Sequence, residues 1–419
     1  MKKIKTKKIR VVNGKSLIVT VDMSKDKHYG YWRCPDGTDV KSFPFSNNGS
    51  GFHEFWQRIA RAKEIHNLDE IVFGYESTGS YAEALVHFMR ARGVRLVQVN
   101  PMHTKRVKEL QGNSPNKTDQ KDPKVIADII ELGHALSVVI PEGPAAELRR
   151  LTQARERSTQ RHTALVNQLQ GLIAIIFPEF MQIMKKVQTA TAKYLLKHCP
   201  TPKEIVAQGI DNLSQTIRKV SRGKLRADRA QALYEAAESP IGVTEGQDSI
   251  LREIRAILAA MEVSEQFNSE LEAEMVLQLQ QIPYSNSILS FKGIGEVTAA
   301  GLIGEVGDFR KFSTIGEIMK LAGFDLFEIS SGKHRGTRRI SKRGRPLLRK
   351  LLYFAALNTV RRGGVMQQQY RRYLDRGMIK TKALIAVARK LLGIIFAVVR
   401  DHTVYEEDYI EKSLELEAA

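Results

Sequence analysis

The sequence predicts an α/β domain followed by an all-helical region, and three observations carry that division. Residues 16–23 (SLIVTVDM) form a continuous apolar run of strand length, and helices and strands alternate after it. Beyond Pro144 chain breakers become scarce and apolar residues recur at helical spacing. Positive charge is gathered into segments rather than interleaved with negative charge.

The first domain reads in order. The 16–23 run predicts a buried strand, and Tyr29–Cys34 and Val40–Phe45 predict two more, parted by the turn Pro35-Asp36-Gly37. Phe52, Phe55, Trp56 and Ile59 share one face of a predicted helix over Phe52–His66. A strand (Glu70–Tyr75), a helix (Tyr81–Arg92), a strand (Val94–Val99) and a helix after Pro101 follow. A three-strand meander followed by α/β alternation is the element order of an RNase H-like (RuvC-like) domain; a doubly wound nucleotide binder would alternate from the start.

The helical region opens with Glu147–Phe177, where Leu148, Leu151, Leu165, Leu169, Leu172 and Ile176 predict one long helix, as a coiled-coil arm or a plain bundle spacer. More helix is expected to Gln281, broken at Pro200–Pro202 and Pro240–Gln247. A new unit starts at Ser290, where Gly293-Ile294-Gly295 suits a helix–hairpin–helix whose backbone amides approach a DNA phosphate. Long helices are expected over Pro346–Arg361 and Thr381–Arg400. The expected domains are a basic tail (1–10), an RNase H-like domain (11–143), a helical region (144–282), a serine-bearing domain (283–402) and an acidic tail (403–419).

At 419 residues and 42% hydrophobic composition the chain can bury two or three cores. No run of eighteen apolar residues occurs, and no apolar segment follows the N-terminal lysines, so neither a membrane span nor a secretory signal is expected. Two cysteines, Cys34 and Cys199, cannot build a disulfide framework, which fits a reducing cytoplasm. The net charge of +19 implies a polyanionic partner, because neutralised phosphates release counterions. Six of the first ten residues and nine of Lys333–Lys350 are Lys or Arg, with no acid in either segment, while the tail after Val404 is acidic.

Four acids stand where such a fold can use them. Asp22 ends the first strand, Glu76 ends the fourth, and Asp119 and Asp122 lie at the start of a helix in NKTDQKDPKVIAD. Cutting a phosphodiester calls for two divalent ions about 3.5–4 Å apart, hence for a cluster of hard oxygen ligands. Asp122 also reads as an ordinary N-cap before Pro123. Ser330 and Ser331 precede Gly332 and the densest basic run, a setting that suits attack on phosphorus and equally an ordinary Ser-Gly turn. Lys333, Arg335, Arg338, Arg339, Lys342, Arg343 and Arg345 are the nucleic-acid-binding candidates.

VDMSKD, YESTGSYAEAL, VNP, KTDQKD, LRRLTQARERSTQRHTALVNQLQ, GIGEVTAAGLIGEVGDFRKF and SGKHRGTRRISKRGRPLLRKLLY together resemble, in order, the DEDD transposases of the insertion-sequence one-ten family. The resemblance spans most of residues 16–360. It implies a recombinase guided by a bridge RNA that pairs with donor and target DNA, with Asp22, Glu76, Asp119 and Asp122 holding Mg²⁺ or Mn²⁺ and Ser331 as the nucleophile that becomes linked to DNA. It implies a homo-oligomer, dimer or tetramer, whose active site joins two protomers, working on nucleoid DNA in the cytoplasm. Pro123 departs from the smaller residue the family usually carries, and the interval 200–282 is long for it. Two other readings remain: a hydrolytic RuvC-like nuclease or junction resolvase, which needs no serine, and a non-catalytic RNA-binding protein, which needs no tetrad.

Overall fold

A computed structural model of the chain describes residues 12–76, 79–111, 122–328, 336 and 338–407. It divides into two units, Met1–Val139 and Ile140–Ala419. The first is α/β and the second almost wholly helical, as the sequence predicts.

In the first unit β1 (Ser16–Asp22), β2 (Lys27–Arg33) and β3 (Phe43–Ser46) form an antiparallel meander, followed by α1 (Gly49–Ile65) and β4 (Glu70–Glu76). Then come α2 (Glu83–Arg90), β5 (Arg95–Val99), α3 (Pro101–Gln111), α4 (Asp122–Glu131) and the two-residue β6 (Leu136–Ser137). The sheet order is β3-β2-β1-β4-β5-β6, with β1, β4 and β5 parallel and β6 antiparallel at the edge. β1 is buried at every position up to Val21, because helices cover both faces of the sheet there. Phe52, Phe55 and Ile59 of α1 cover one face, and Val125, Ile126, Ile129 and Ile130 of α4 pack on the other.

The third strand starts later than the predicted Val40–Phe45. Asp39 pairs its backbone with Arg33, and its carboxylate accepts from the Tyr31 hydroxyl at 2.7 Å and from Lys124 at 3.1 Å. Asp39 thus makes an isolated bridge to β2, and the continuous strand pairing resumes only at Phe43. The predicted helix Tyr81–Arg92 is a short 3₁₀ turn, Ser80–Ala82, leading into α2. Arg33, buried at 8% exposure, donates to the Tyr31 hydroxyl, to Asp128 at 2.7 Å and to Glu131 at 2.9 Å, fastening β2 to α4.

The second unit is built on α5 (Pro144–Ile176) and α11 (Gln247–Gln280), each about 50 Å long at 1.5 Å per residue. They run antiparallel: Arg155 pairs with Glu272, Ser158 meets Ser264, and His162 lies against Glu265. Between them in sequence come α6 (Pro178–Ile183), α7 (Ala190–His198), α8 (Pro202–Gln208), α9 (Ile210–Val220) and α10 (Ala227–Glu238). After them come α12 (Ser285–Leu289), α13 (Glu296–Val306), α14 (Ile315–Ala322), the hairpin β7 (Leu326–Phe327) with β8 (Arg339–Ile340), α15 (Pro346–Arg362), α16 (Gly364–Asp375) and α17 (Lys380–Arg400).

Two separate cores result, one at each end of the helix pair. Leu169, Ile173, Ile176, Ile254, Leu258 and Met261 pack with α6–α10 at one end, which is what the long interval 200–282 builds. Ala145, Leu148, Met275 and Leu279 pack with α12–α17 at the other. Glycines set the second core's close crossings: a Cβ on Gly304 of α13 would lie 2.7 Å from the backbone of Leu148 and Arg149 in α5. Among the described residues no helix is long and apolar enough to cross a membrane.

Candidate active site

Sheet register brings two of the expected carboxylates side by side. Val21 of β1 pairs in parallel with Tyr75 of β4, so Asp22 and Glu76, one residue further on, end adjacent strands about 4.8 Å apart. Alternation fixes the face. The Thr20 hydroxyl donates to the Pro123 carbonyl of α4 at 2.6 Å, and Asp22, two residues on, leaves the same face. A Cβ on Gly74 would strike Ile130 of α4, which puts Glu76 on that face as well. Asp22 and Glu76 are both half-buried.

Asp122 is the first residue of α4, and Pro123 follows within the first turn, where its missing N–H leaves no intrahelical bond unmade. The Thr20–Pro123 bond therefore ties the start of α4 to β1 two residues before Asp22. Asp122 is buried at 8% exposure, and the Lys108 ammonium of α3 lies 2.6 Å from its Oδ2. A buried carboxylate requires a cationic partner, and here Lys108 supplies it.

Asp22 and Glu76 thus leave the sheet on the face that α4 covers, and Asp122 stands at the start of α4. The donors are all carboxylate oxygens, the set that suits Mg²⁺ or Mn²⁺, and one already holds a cation. Among the described residues no three His, Cys, Asp or Glu side chains stand close enough together to hold a metal ion. Asp119 lies outside the described residues. A cleft of about 610 Å³ lined by Trp56, Asn67, Asp69, Arg92 and Arg95 opens at the other end of the sheet, where β4 and β5 begin, away from the acids.

Ser330, Ser331, Lys333 and Arg335 also lie outside the described residues. Their flanks are described. Leu326 pairs with Ile340 and Phe327 with Arg339, so β7 and β8 flank the segment whose sequence contains the serines. The base of the strand pair is knitted to α14 and α15: the Ser341 N–H donates to the Asp325 carbonyl and the Lys342 N–H to that of Gly323. Gly323 has φ +68°, and a Cβ there would strike the Arg349 guanidinium and the Lys342–Arg343 backbone, while one on Gly344 would strike the backbone of Gly323 and Leu321.

The basic candidates divide by what they touch. Arg339, Lys342 and Arg343 are exposed. Arg338 is exposed too but pairs with Glu328 at 3.0 Å. Arg345 turns inward, its guanidinium donating to the Glu305 carbonyl as its N–H donates to that of Leu321. Sequence reasoning missed two cations that hold this unit together. Lys350 of α15 donates to both carboxylate oxygens of Glu156 in α5 at 2.8 Å; burial pushes that carboxyl up, but the Lys350 and Gln160 bonds bring it below its ordinary range. Arg349 donates to the Ala322 carbonyl at 2.9 Å, and burial lowers its pKa.

Comparisons with known proteins match the chain in two stretches. A transposase family model, of the DEDD type named for IS110, matches residues 19–178, and the transposase IS116/IS110/IS902 family model matches 285–371. Together they take in more than half of the chain. The uncharacterized 43.6 kDa protein of insertion element IS110 from Streptomyces coelicolor is 23% identical over 390 residues, 92% of this chain and 94% of the relative. The uncharacterized 42 kDa protein of IS900 from Mycobacterium paratuberculosis is 24% identical over 387 residues, 92% and 96% of the two chains. The transposase for insertion sequence element IS1111A from Coxiella burnetii is 23% identical over 363 residues, 84% of each. With both units matched in order, the chain belongs to the IS110 family of transposases.

Proposed function

We propose that the chain cleaves and rejoins DNA strands under the guidance of a bridge RNA, with an RNase H-like carboxylate site and a serine nucleophile. The observation that carries this reading is that Asp22 and Glu76, at the C-terminal ends of β1 and β4, leave the sheet on the face covered by α4, which Asp122 begins. The sheet order supports an RNase H-like (RuvC-like) assignment: an antiparallel meander whose first strand is central and followed outward by parallel β4 and β5.

In this reading Asp22, Glu76, Asp119 and Asp122 hold Mg²⁺ or Mn²⁺. The ion supplies Lewis-acid stabilisation of charge on the phosphate oxygens. Thr20 keeps Asp122 registered against Asp22, and Arg33 holds α4 through Asp128 and Glu131. Lys108 neutralises Asp122 and must release it for the carboxylate to serve as a ligand. Ser331 Oγ attacks the scissile phosphate and gives up its proton to solvent as the P–O bond to one strand breaks and that strand leaves with a free hydroxyl end. The new Oγ–P bond keeps the phosphodiester energy, and attack by a strand hydroxyl later breaks it and releases the serine. Arg339, Lys342 and Arg343 are the exposed cations beside the hairpin that meet nucleic acid. The α5–α11 pair serves as the arm between catalytic regions of a homo-oligomer, and the α12–α13 turn as the helix–hairpin–helix.

The test is to purify the protein with its nucleic acid, sequence the bound RNA, and supply duplexes matching its unpaired loops. Recombinant product together with a denaturant-resistant protein–DNA adduct is expected. Cleaved product without an adduct would make the chain a hydrolytic nuclease.

A further inference from the structure

The proposed function uses the cations beside the β7–β8 hairpin and leaves a second basic stretch unread. Residues 361–382 hold seven Lys or Arg and one acid, Asp375. All seven cations are exposed, and none makes an ion pair among the described residues. Arg361 and Arg362 end α15, and Arg372 and Arg376 end α16, where positive charge offsets the helix dipole. Lys380 and Lys382 instead open α17, where the same dipole opposes them. Charge set against the dipole does not stabilise its own helix, so this part of the patch calls for an anionic partner.

The helix between these charges is sharply two-faced. Met366 is buried, and Tyr370 and Tyr373, one and two turns on, pack against the same core. Lys390 of α17 donates to the Gln369 side-chain oxygen at 3.3 Å and fastens α16 to α17. The other face presents Val365, Gln368 and Arg372 at i, i+3 and i+7, all exposed. At 12 residues α16 is about 18 Å long, with cations standing at both ends. Beside its start lies a cleft of about 450 Å³ lined by Gly293, Asn358, Arg361 and Arg362. Gly293 has φ +104° and rests on the α15 backbone, where a Cβ would sit 2.8 Å from the Thr359 nitrogen, so this wall is fixed. One carboxylate reaches this end: Glu407 lies against Gly364, and the Lys292 ammonium stands 3.7 Å from it.

We propose that α16 enters the major groove of duplex DNA, with Gln368 and Arg372 on base edges and the cations at its two ends on phosphates of the two strands. The proposal rests on the DNA reading above and adds to it a sequence preference of the protein's own. The major groove of B-form DNA, about 12 Å wide, admits an α-helix, whereas that of A-form RNA is too deep and narrow. An unpaired strand calls for exposed aromatic rings on which bases stack, and the two rings of α16, Tyr370 and Tyr373, turn toward the core. Gln and Arg are the side chains whose paired hydrogen-bonding groups match the edges of adenine and guanine.

Titrating a short fluorescent duplex with the full chain at several salt concentrations, followed by anisotropy, tests this without any readout of catalysis. Arg361→Ala with Arg362→Ala should weaken binding and lower the slope of log affinity against log salt by about two. Lys380→Ala with Lys382→Ala should do the same at the other end of the helix. Gln368→Ala should leave that slope unchanged. Selection from a pool of randomised duplexes should enrich a short motif with the wild-type chain, and Gln368→Ala should lose about ten-fold of the preference at one base pair. All five side chains are exposed, so thermal melts of the variants should match wild type. An unchanged salt slope in both double variants would remove the patch from DNA binding. An unchanged motif in Gln368→Ala would take α16 out of the groove and overturn the proposal. An equal loss of affinity for an RNA duplex would overturn DNA as the ligand. Failure of the DNA reading itself looks different: the wild-type chain would not bind the duplex at all.

Discussion

The carboxylate face and the serine hairpin are built on opposite principles. Asp22 and Glu76 end buried parallel strands of seven residues each, and a one-residue slip would turn both side chains to the other face. The strands that flank Ser330 and Ser331 in sequence are two residues each, and among the described residues they are fastened at Gly323, Asp325 and Gly344. Metal ligands must converge within a few tenths of an ångström, so they belong on a sheet. On the proposed reading, the residue that meets a large substrate lies between short strands held by a scaffold, where binding residues are common.

The largest effect should come from breaking the sheet-borne half. Asp22→Asn or Glu76→Gln should lower strand cleavage by more than about 100-fold, since the metal's share of the barrier is several kcal/mol. Circular dichroism and nucleic-acid binding should stay near wild type. Cleavage at the wild-type rate in Asp22→Asn would remove this face from the mechanism.

Breaking the hairpin-borne half should give a different defect. Ser331→Ala should leave binding intact but yield neither recombinant nor adduct on a denaturing gel, while Ser330→Ala keeps substantial activity. The reverse pattern would move the nucleophile by one residue.

Thr20→Val asks how far the carboxylate face depends on its scaffold. The change is nearly isosteric and removes the hydroxyl that donates to the Pro123 carbonyl, for a cost of about 1 kcal/mol in a urea melt. Cleavage should fall further than stability does, because Asp122 loses its register with Asp22. Equal loss in both would make Thr20 merely structural.

The smallest effect concerns the thiols. Burial, with the Glu204 carboxylate nearby, pushes Cys199 up to about 11, and burial also raises Cys34. Both thiols therefore stay protonated well above neutral pH and should resist alkylation in the folded protein, reacting only once urea unfolds it. Labelling of Cys199 in native protein at pH 8 would show that its core opens.

Legibility in the sequence followed the range of the interaction. Strand-end acids could be found because an apolar run followed by Asp22 is local information. The third strand was set too early because the turn holding Asp39 depends on Tyr31 and on Lys124, which is 85 residues away. Arg33 gave no signal at all, since an arginine in a strand of mixed character reads as solvent-facing until Asp128 and Glu131 are brought against it. The last charge cluster misled in part: Arg345 belongs to the same run as Arg343, yet its guanidinium is spent inside the protein.

The sequence by itself determined the order of elements, the long helix from Pro144, the segregation of charge and the family, because two- and 3.6-residue periodicities and ordered motifs are written in neighbouring residues. Only the tertiary structure decided that Asp22 and Glu76 face α4, which Asp122 begins, that α5 pairs with a helix about a hundred residues later, and that Tyr405 returns to Ser290 and Phe291. Those outcomes depend on strand register and on packing between segments far apart in sequence, and neither leaves a periodic trace in the chain.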